Sequence, residues 1–139
     1  MDTTHQKTFE RYLYAGAIMR DADGVAALFT EDGVFEAPLV PPGHPLPRRL
    51  EGREAIRAGI GAYHRHPAFQ VTVDAARSAY VRHDTADPDV FVVEIDTVLA
   101  GAGGPPVTMS LVQIYRLRDG LIAQLRDYFA PPDPAQRIP

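Results

Sequence analysis

The chain has 139 residues, a formal net charge of −4 and no cysteine. This length suits one domain with one hydrophobic core. The lack of cysteine excludes disulfides, thiolate metal sites and cysteine nucleophiles. The charged residues form no basic cluster, so we expect no nucleic-acid partner. No apolar stretch is long enough to span a membrane, so we expect no membrane partner. The first residues have neither the basic nor the apolar region of a signal peptide, so we expect a cytoplasmic protein.

The first half of the chain is predicted to be largely helical. Apolar residues recur at helical spacing from Thr8 to Met19 and again from Asp21 to Phe29. A short strand at 34–37 and a proline-rich loop at 38–47 follow. A third amphipathic helix is predicted from Glu51 to about His64.

The second half is predicted to consist of antiparallel strands. Four segments rich in Val, Ile, Tyr and Phe cover 69–83, 90–101, 107–117 and 121–129, and Asp119-Gly120 predicts a tight hairpin. Helices followed by strands indicate an α+β fold, with the helices on one face of the sheet.

The prolines near the C-terminus indicate where the predicted domain ends. The sequence predicts one domain over 1–130 and an extended or disordered tail over 131–139, where four prolines occur in nine residues.

Three segments together resemble one protein superfamily. The segment from Asp21 reads DADGVAALFTEDGVF, that from Leu50 reads LEGREAI, and that from Ile114 reads IYRLRDGLI, followed by LRDYF from Leu125. In this order they are similar to the SnoaL-like and limonene-epoxide-hydrolase-like branch of the nuclear transport factor 2 superfamily. The resemblance implies a cone: three N-terminal helices packed on a strongly curved, mostly antiparallel sheet that encloses one pocket. It does not fix the reaction, because the superfamily includes isomerases, cyclases, hydrolases and binding modules.

The last strand carries the first candidate catalytic residue. Side chains alternate along a strand, so Leu125, Asp127 and Phe129 share one face. The resemblance assigns that face to the pocket and Asp127 to catalysis. The alternative is a solvated acid near a strand end, which the apolar neighbours at i−2 and i+2 argue against.

The strand at 90–101 allows two orientations. Glu94 and Asp96 alternate with an apolar row that includes Phe91, Val93 and Ile95. By pattern alone, the apolar row belongs in the core. The resemblance implies the reverse, because an "R-x-D" pair of the epoxide-hydrolase-like branch faces the pocket at these positions. On that basis we expect Asp96 and Glu94 in the pocket as catalytic residues, and the outer sheet face in a homodimer interface.

The expected mechanism depends on two carboxyl groups in one cavity. If Asp96 and Asp127 lie together, one pKa rises and the other stays low, which provides an acid and a base near neutral pH. Glu94 replaces the arginine that bridges the two acids in the resembling hydrolases, which argues against epoxide hydrolysis in the same form. A ketosteroid-isomerase mechanism is rejected because Ala37 precedes Pro38, where that branch has its base.

The remaining candidates are expected to bind substrate. Gln113 would hydrogen-bond Asp127, Asp96 or a substrate carbonyl, or else lie at a dimer interface. Tyr12 lies beside the position of the helix-one tyrosine in the isomerase branch. His44, Arg48 and Arg49 could form a lid. The predicted apolar lining comprises Phe35, Ile56, Ile60, Tyr63, Leu125 and Phe129.

These residues favour a cofactor-free acid/base enzyme acting on a small apolar carbonyl or epoxide compound, through polyketide-cyclase-like cyclisation or hydration. No metal is predicted, since no histidine pair has convincing ligand spacing with a carboxylate. The alternative is a non-catalytic ligand-binding or assembly module of the same fold.

Overall fold

A computed structural model describes residues 4–100 and 104–131. Helix α1 covers Thr4–Leu13 and continues as a π-helical segment, Tyr14–Ile18. Helix α2 covers Ala22–Ala27. Asp21 is its N-cap, and the carboxylate of Asp21 accepts a hydrogen bond from the backbone N–H of Gly24 at 3.1 Å. Both predicted helices are therefore present, although the first begins four residues earlier and ends in π-helical geometry.

Helix α3 covers Arg53–Arg65 and closes the helical part of the chain. It buries Ile56 and Ile60, which lie one turn apart on the predicted apolar stripe. A single 3₁₀ turn, Pro67–Phe69, follows it. The third predicted helix is confirmed to within two residues at each end.

Seven strands form one strongly curled, mixed sheet. Strand β1 pairs in parallel with β7 and antiparallel with β2, and all other pairings are antiparallel. The sheet order is β2-β1-β7-β6-β5-β3, and β4 also pairs with β5. The strands are β1 Phe29–Glu36, β2 Arg49–Glu51, β3 Thr72–Val73, β4 Ala79–Asp84, β5 Val90–Ala100, β6 Val107–Arg118 and β7 Leu121–Tyr128.

Strand β1 is longer than the sequence indicated. The predicted strand began at residue 34, but the residues at 30–33 also belong to β1, and the pairing register with β7 shifts between Phe29 and Val34. Gly33 permits this bulge, because a Cβ atom there would lie 3.0 Å from the carbonyl oxygen of Thr30 and 3.1 Å from that of Ile122. Glycine at this position therefore allows the close backbone approach.

The other strand predictions differ in detail. Segment 69–83 was predicted as one strand, but it contains the end of the 3₁₀ turn and the separate strands β3 and β4. Strand β2 was not predicted. The hairpin at Asp119-Gly120 is confirmed, with φ angles of 54° and 80° that suit a left-handed two-residue turn.

The core lies between the helices and the inner face of the sheet, so the predicted α+β cone fold is confirmed. The predicted tail falls almost entirely outside the described residues. Among the residues that the structure covers, no helix has the length and apolar character to cross a membrane. The largest fully buried side chains are Tyr115, Phe9, Phe29, Phe35, Phe91, Ile56, Ile122 and Leu125.

Candidate functional site

Asp127 lies on the inner face of β7, where strand alternation placed it. Its residue exposure is only 9%. Burial raises the pKa of this carboxyl from 3.8 to about 7, and a hydrogen bond from Gln113 partly opposes the rise. The Oδ1 atom is buried and accepts no hydrogen bond from any residue that the structure describes. Asp127 is thus a buried acid with one free acceptor.

Gln113 lies directly opposite Asp127 on the neighbouring strand β6. Its Nε2 donates to Asp127 Oδ2 at 3.3 Å, and its Oε1 accepts from the Tyr115 hydroxyl at 2.6 Å. All three side chains are buried. The predicted contact between Gln113 and Asp127 is confirmed. Tyr115 was not proposed as a site residue, although its position two residues after Gln113 indicated the same face.

Two further phenols lie near this carboxyl. Burial raises the pKa of Tyr12 well above its usual value, with a smaller contribution from the negative charge of Asp127. Burial, and then Asp127, also raise the pKa of Tyr63. The ring of Tyr12 packs edge-on against Tyr115 with centroids 5.8 Å apart. Both hydroxyls therefore stay protonated at neutral pH and are neutral hydrogen-bond donors.

The predicted apolar lining residues all lie in the core or against it. They surround the inner face, but the enclosed pocket itself stays a prediction. Two open surface depressions lie elsewhere. One, of about 400 Å³, is on the outer sheet face and is lined by residues of β4, β5 and β6 with Tyr128, and the other, of about 490 Å³, lies between α2 and α3. Asp127 lines neither of them.

The orientation predicted for Asp96 and Glu94 is wrong. Both side chains are exposed on the outer face of β5, while Phe91, Val93 and Ile95 are buried beneath them. The hydrophobic effect explains this result, because reversing the strand would expose three apolar side chains and bury two acids. The alternation of apolar and acidic residues along this strand indicated the correct orientation, whereas the family resemblance implied the opposite one.

The outer-face acids have local partners of their own. The Ser110 hydroxyl donates to Asp96 Oδ1 at 2.7 Å, and His83 Nε2 lies 2.6 Å from Glu94 Oε2. The sheet separates Asp96 from Asp127, so the two-acid mechanism has no structural basis.

The proline-rich loop brings one of its three predicted lid residues to the inner face. The ring of His44 lies 5.8 Å from Tyr63, 5.0 Å from Phe69 and 6.5 Å from Phe129, measured between centroids. Arg48 instead donates to the carbonyl oxygen of Val40 at 2.8 Å. Arg49 forms ion pairs with Glu36 and Glu51.

Metal coordination has no visible basis in the described part of the chain. No group of three or more histidine, aspartate or glutamate side chains there is arranged to hold a metal ion. The acid, amide and phenol groups on the inner face are instead suited to hydrogen bonding and proton transfer.

Comparison with known proteins agrees with this architecture. The chain is 35% identical over 113 residues to an uncharacterised PhzA/B-like protein of Pseudomonas aeruginosa, covering 80% of this chain and 74% of the relative. A Bacillus subtilis structure named "Putative Isomerase" superposes with a TM-score of 0.76 at 26% identity, covering 94% and 91% of the two chains. A Mycobacterium tuberculosis epoxide hydrolase of the limonene-epoxide-hydrolase-like type shares the fold, with a TM-score of 0.60 at 23% identity and coverage of 91% and 83%.

The family model for the SnoaL-like domain matches residues 9–125. This match spans α1 to the middle of β7 and so includes nearly every element that builds the inner face. The chain is a member of the SnoaL-like domain family.

Proposed function

We propose that this protein is an acid/base enzyme in which Asp127 transfers a proton on a small, largely apolar carbonyl compound. One observation carries the proposal: a buried carboxyl with a pKa of about 7 and a free oxygen lies near neutral phenol donors. A base is most effective when its pKa is close to the working pH. Asp127 satisfies this condition without a second carboxyl.

The residues support proton removal from a carbon next to a carbonyl. The Asp127 carboxylate accepts the proton, and the electron pair of the C–H bond moves to the carbonyl oxygen as an enolate forms. Hydroxyl hydrogen bonds from Tyr12 or Tyr63 stabilise that oxygen in a low-dielectric interior. In an aldol-type cyclisation the enolate carbon then attacks a second carbonyl of the same molecule, and protonated Asp127 returns its proton to the new alkoxide. No cofactor takes part in these steps.

Among the residues that the structure describes, Asp127 is the only buried acid, and this favours proton removal over epoxide hydrolysis. Opening an epoxide with water by the two-acid route needs one group to activate water and another to protonate the leaving oxygen. Asp96 and Glu94 lie on the opposite face of the sheet, and Asp127 alone cannot take both roles at once. We therefore propose enolisation and cyclisation as the reaction class.

Exchange of carbon-bound hydrogen provides a direct test. We expect the wild-type protein to accelerate exchange of the α-hydrogens of 1-tetralone with D₂O, measured by ¹H NMR. Asp127→Asn keeps the shape but removes the base, and should lower the rate at least about 100-fold. Asp96→Asn is the matched control, since its carboxyl is exposed on the outer face, and it should keep the wild-type rate.

The possible results separate the two functional hypotheses. Equal exchange by the wild type and Asp127→Asn would contradict the assignment of the base. Binding of the ketone without any exchange would indicate a non-catalytic ligand-binding module.

The pH dependence of exchange gives an independent prediction. Only the ionised form of Asp127 accepts a proton, so the rate should rise with pH and level off above the pKa of about 7. Rates measured from pH 5 to pH 9 test this. A rate that falls over the same range would show that the protonated form is the active one.

A further inference from the structure

His44 is a half-buried histidine with a fixed orientation. It lies in the loop between β1 and β2, and its ring packs within a group of three aromatic side chains, Tyr63, Phe69 and Phe129. Burial lowers the pKa of His44, so the ring is neutral at pH 7 and has one N–H.

The backbone determines which nitrogen has the proton. The N–H of Leu46 lies 3.1 Å from His44 Nδ1, and the carbonyl oxygen of Leu46 lies 3.4 Å from the same nitrogen. A neutral ring nitrogen either accepts or donates, and the shorter contact also satisfies a backbone donor. Nδ1 is therefore the acceptor, and Nε2 has the hydrogen.

The Nε2–H group has no acceptor among the described residues, although the atom is buried. Leaving a buried donor without a partner is unfavourable, because the N–H group has lost its hydrogen bond to water. The neighbouring aromatic faces offer only weak N–H···π contacts. A ligand with a hydrogen-bond acceptor would remove this cost.

Two residues connect His44 to the candidate base. Phe129 follows Asp127 by two positions, so both point to the inner side of the sheet. Tyr63 contacts the ring of His44 and also feels the charge of Asp127. Tyr63 and Phe129 thus connect the ring of His44 to the surroundings of the Asp127 carboxyl.

We propose that the Nε2–H of His44 is a specificity-determining donor that binds a second oxygen of the substrate, remote from the carbonyl that Asp127 acts on. The aromatic side chains around His44 favour a flat ring system, since planar rings stack or pack edge to face. The substrate class is then a fused-ring ketone with an ether, hydroxyl or carbonyl oxygen at its far end. This inference rests on the proposed function, because it takes the same inner face as the substrate site.

A matched pair of ketones tests the proposal with the full chain. 6-Methoxy-1-tetralone has an oxygen at the far end of the ring, whereas 1-tetralone lacks it. The wild type should bind the methoxy compound about three- to tenfold more tightly, as one added hydrogen bond implies. Dissociation constants would be measured by isothermal titration calorimetry. The Hε2 resonance of His44, followed by ¹⁵N-edited NMR, should shift only with the methoxy compound.

Two substitutions separate the two nitrogens of the ring. His44→Asn retains an acceptor near the Nδ1 position for the Leu46 N–H and removes the far donor, so the preference should disappear. His44→Gln places an amide N–H near the Nε2 position and should keep the preference. The proposal is overturned if the wild type binds neither ketone or binds both equally. It is also overturned if the NMR spectrum shows the ring proton on Nδ1 instead of Nε2. Retention of the preference for the methoxy compound by His44→Asn would overturn it as well.

Asp127→Asn distinguishes this inference from the proposed function. It should lose α-hydrogen exchange but retain the preference for the methoxy compound. A wild type with that preference and no exchange would refute the enzyme and leave the His44 contact standing. Exchange without the preference would refute the His44 contact alone.

Discussion

At the scale of single residues, burial of Asp127 has an energetic cost that depends on pH. Folding raises its pKa from 3.8 to about 7. The folded protein therefore holds this proton more tightly than the unfolded chain, and between pH 4 and pH 7 it binds more protons. Stability contributed by this group is highest below pH 4 and falls as pH rises to about 7. This rise in the pKa of Asp127 corresponds to roughly 4 kcal/mol.

Asp127→Asn should consequently stabilise the protein at neutral and alkaline pH. The amide has the same shape, carries no charge and needs no desolvation of an ion. We expect a gain of about 2–4 kcal/mol at pH 8 and little change at pH 4, measured by urea unfolding. Asp96→Asn is the control on the exposed face and should stay within about 0.5 kcal/mol of wild type. A less stable Asp127→Asn protein at pH 8 would contradict the buried, raised-pKa carboxyl.

The same two aspartates show how far sequence predicts the site. Asp127 lies between Leu125 and Phe129 at alternating positions, so parity and apolar neighbours gave its direction correctly. Asp96 lies on a strand of which either face could have pointed into the core, and the family resemblance favoured the wrong face. The free Nε2–H of His44 was not predictable, because it depends on a backbone contact within an irregular loop.

At the scale of elements, His5 attaches α1 to the β4–β5 hairpin. Its Nδ1 lies 2.7 Å from Asp84 Oδ1, its Nε2 lies 2.6 Å from the carbonyl oxygen of Pro88, and its ring stacks on Phe91 at 4.7 Å. The residue is buried, with an exposure of only 8%. Because α1 begins at Thr4, the helical phase turns this residue inward.

Replacement of His5 should therefore loosen α1. We expect His5→Ala to lower the free energy of unfolding by about 1–3 kcal/mol, since it removes the contact to the Pro88 carbonyl oxygen and the ring that stacks on Phe91. Backbone amides of α1 should exchange faster in hydrogen–deuterium exchange. Lys7→Ala removes an exposed side chain of the same helix and serves as the control. Equal effects of the two substitutions would argue against the attachment.

Element boundaries were harder to predict than element types. The polar residues at 30–33 look like a turn, yet they lie within β1, where its pairing register with β7 shifts. The parallel contact between β1 and β7 joins residues at least 90 positions apart, so no local sequence pattern predicts it.

At the scale of the whole molecule, the outer sheet face combines paired polar groups with exposed apolar ones. Val81 is 56% exposed and lines the outer depression together with Val112 and Tyr128. The sequence argument for a dimer assumed an outward apolar row, and that row is buried. We still propose a homodimer through this face, now on the support of the exposed apolar side chains that remain.

A charged substitution in this depression tests the dimer. Val81 pairs with Glu94 across β4 and β5, so Val81→Glu places two like charges side by side and desolvates both on association. Size-exclusion chromatography with light scattering should give a dimer for the wild type and a monomer for Val81→Glu. Val107→Glu, at a valine that is 44% exposed but outside the depression, should remain a dimer. A monomeric wild type, or a dimeric Val81→Glu, would refute this interface.

Because Val81 lies on the face opposite Asp127, exchange of 1-tetralone by the monomeric variant would also show whether proton transfer needs the dimer.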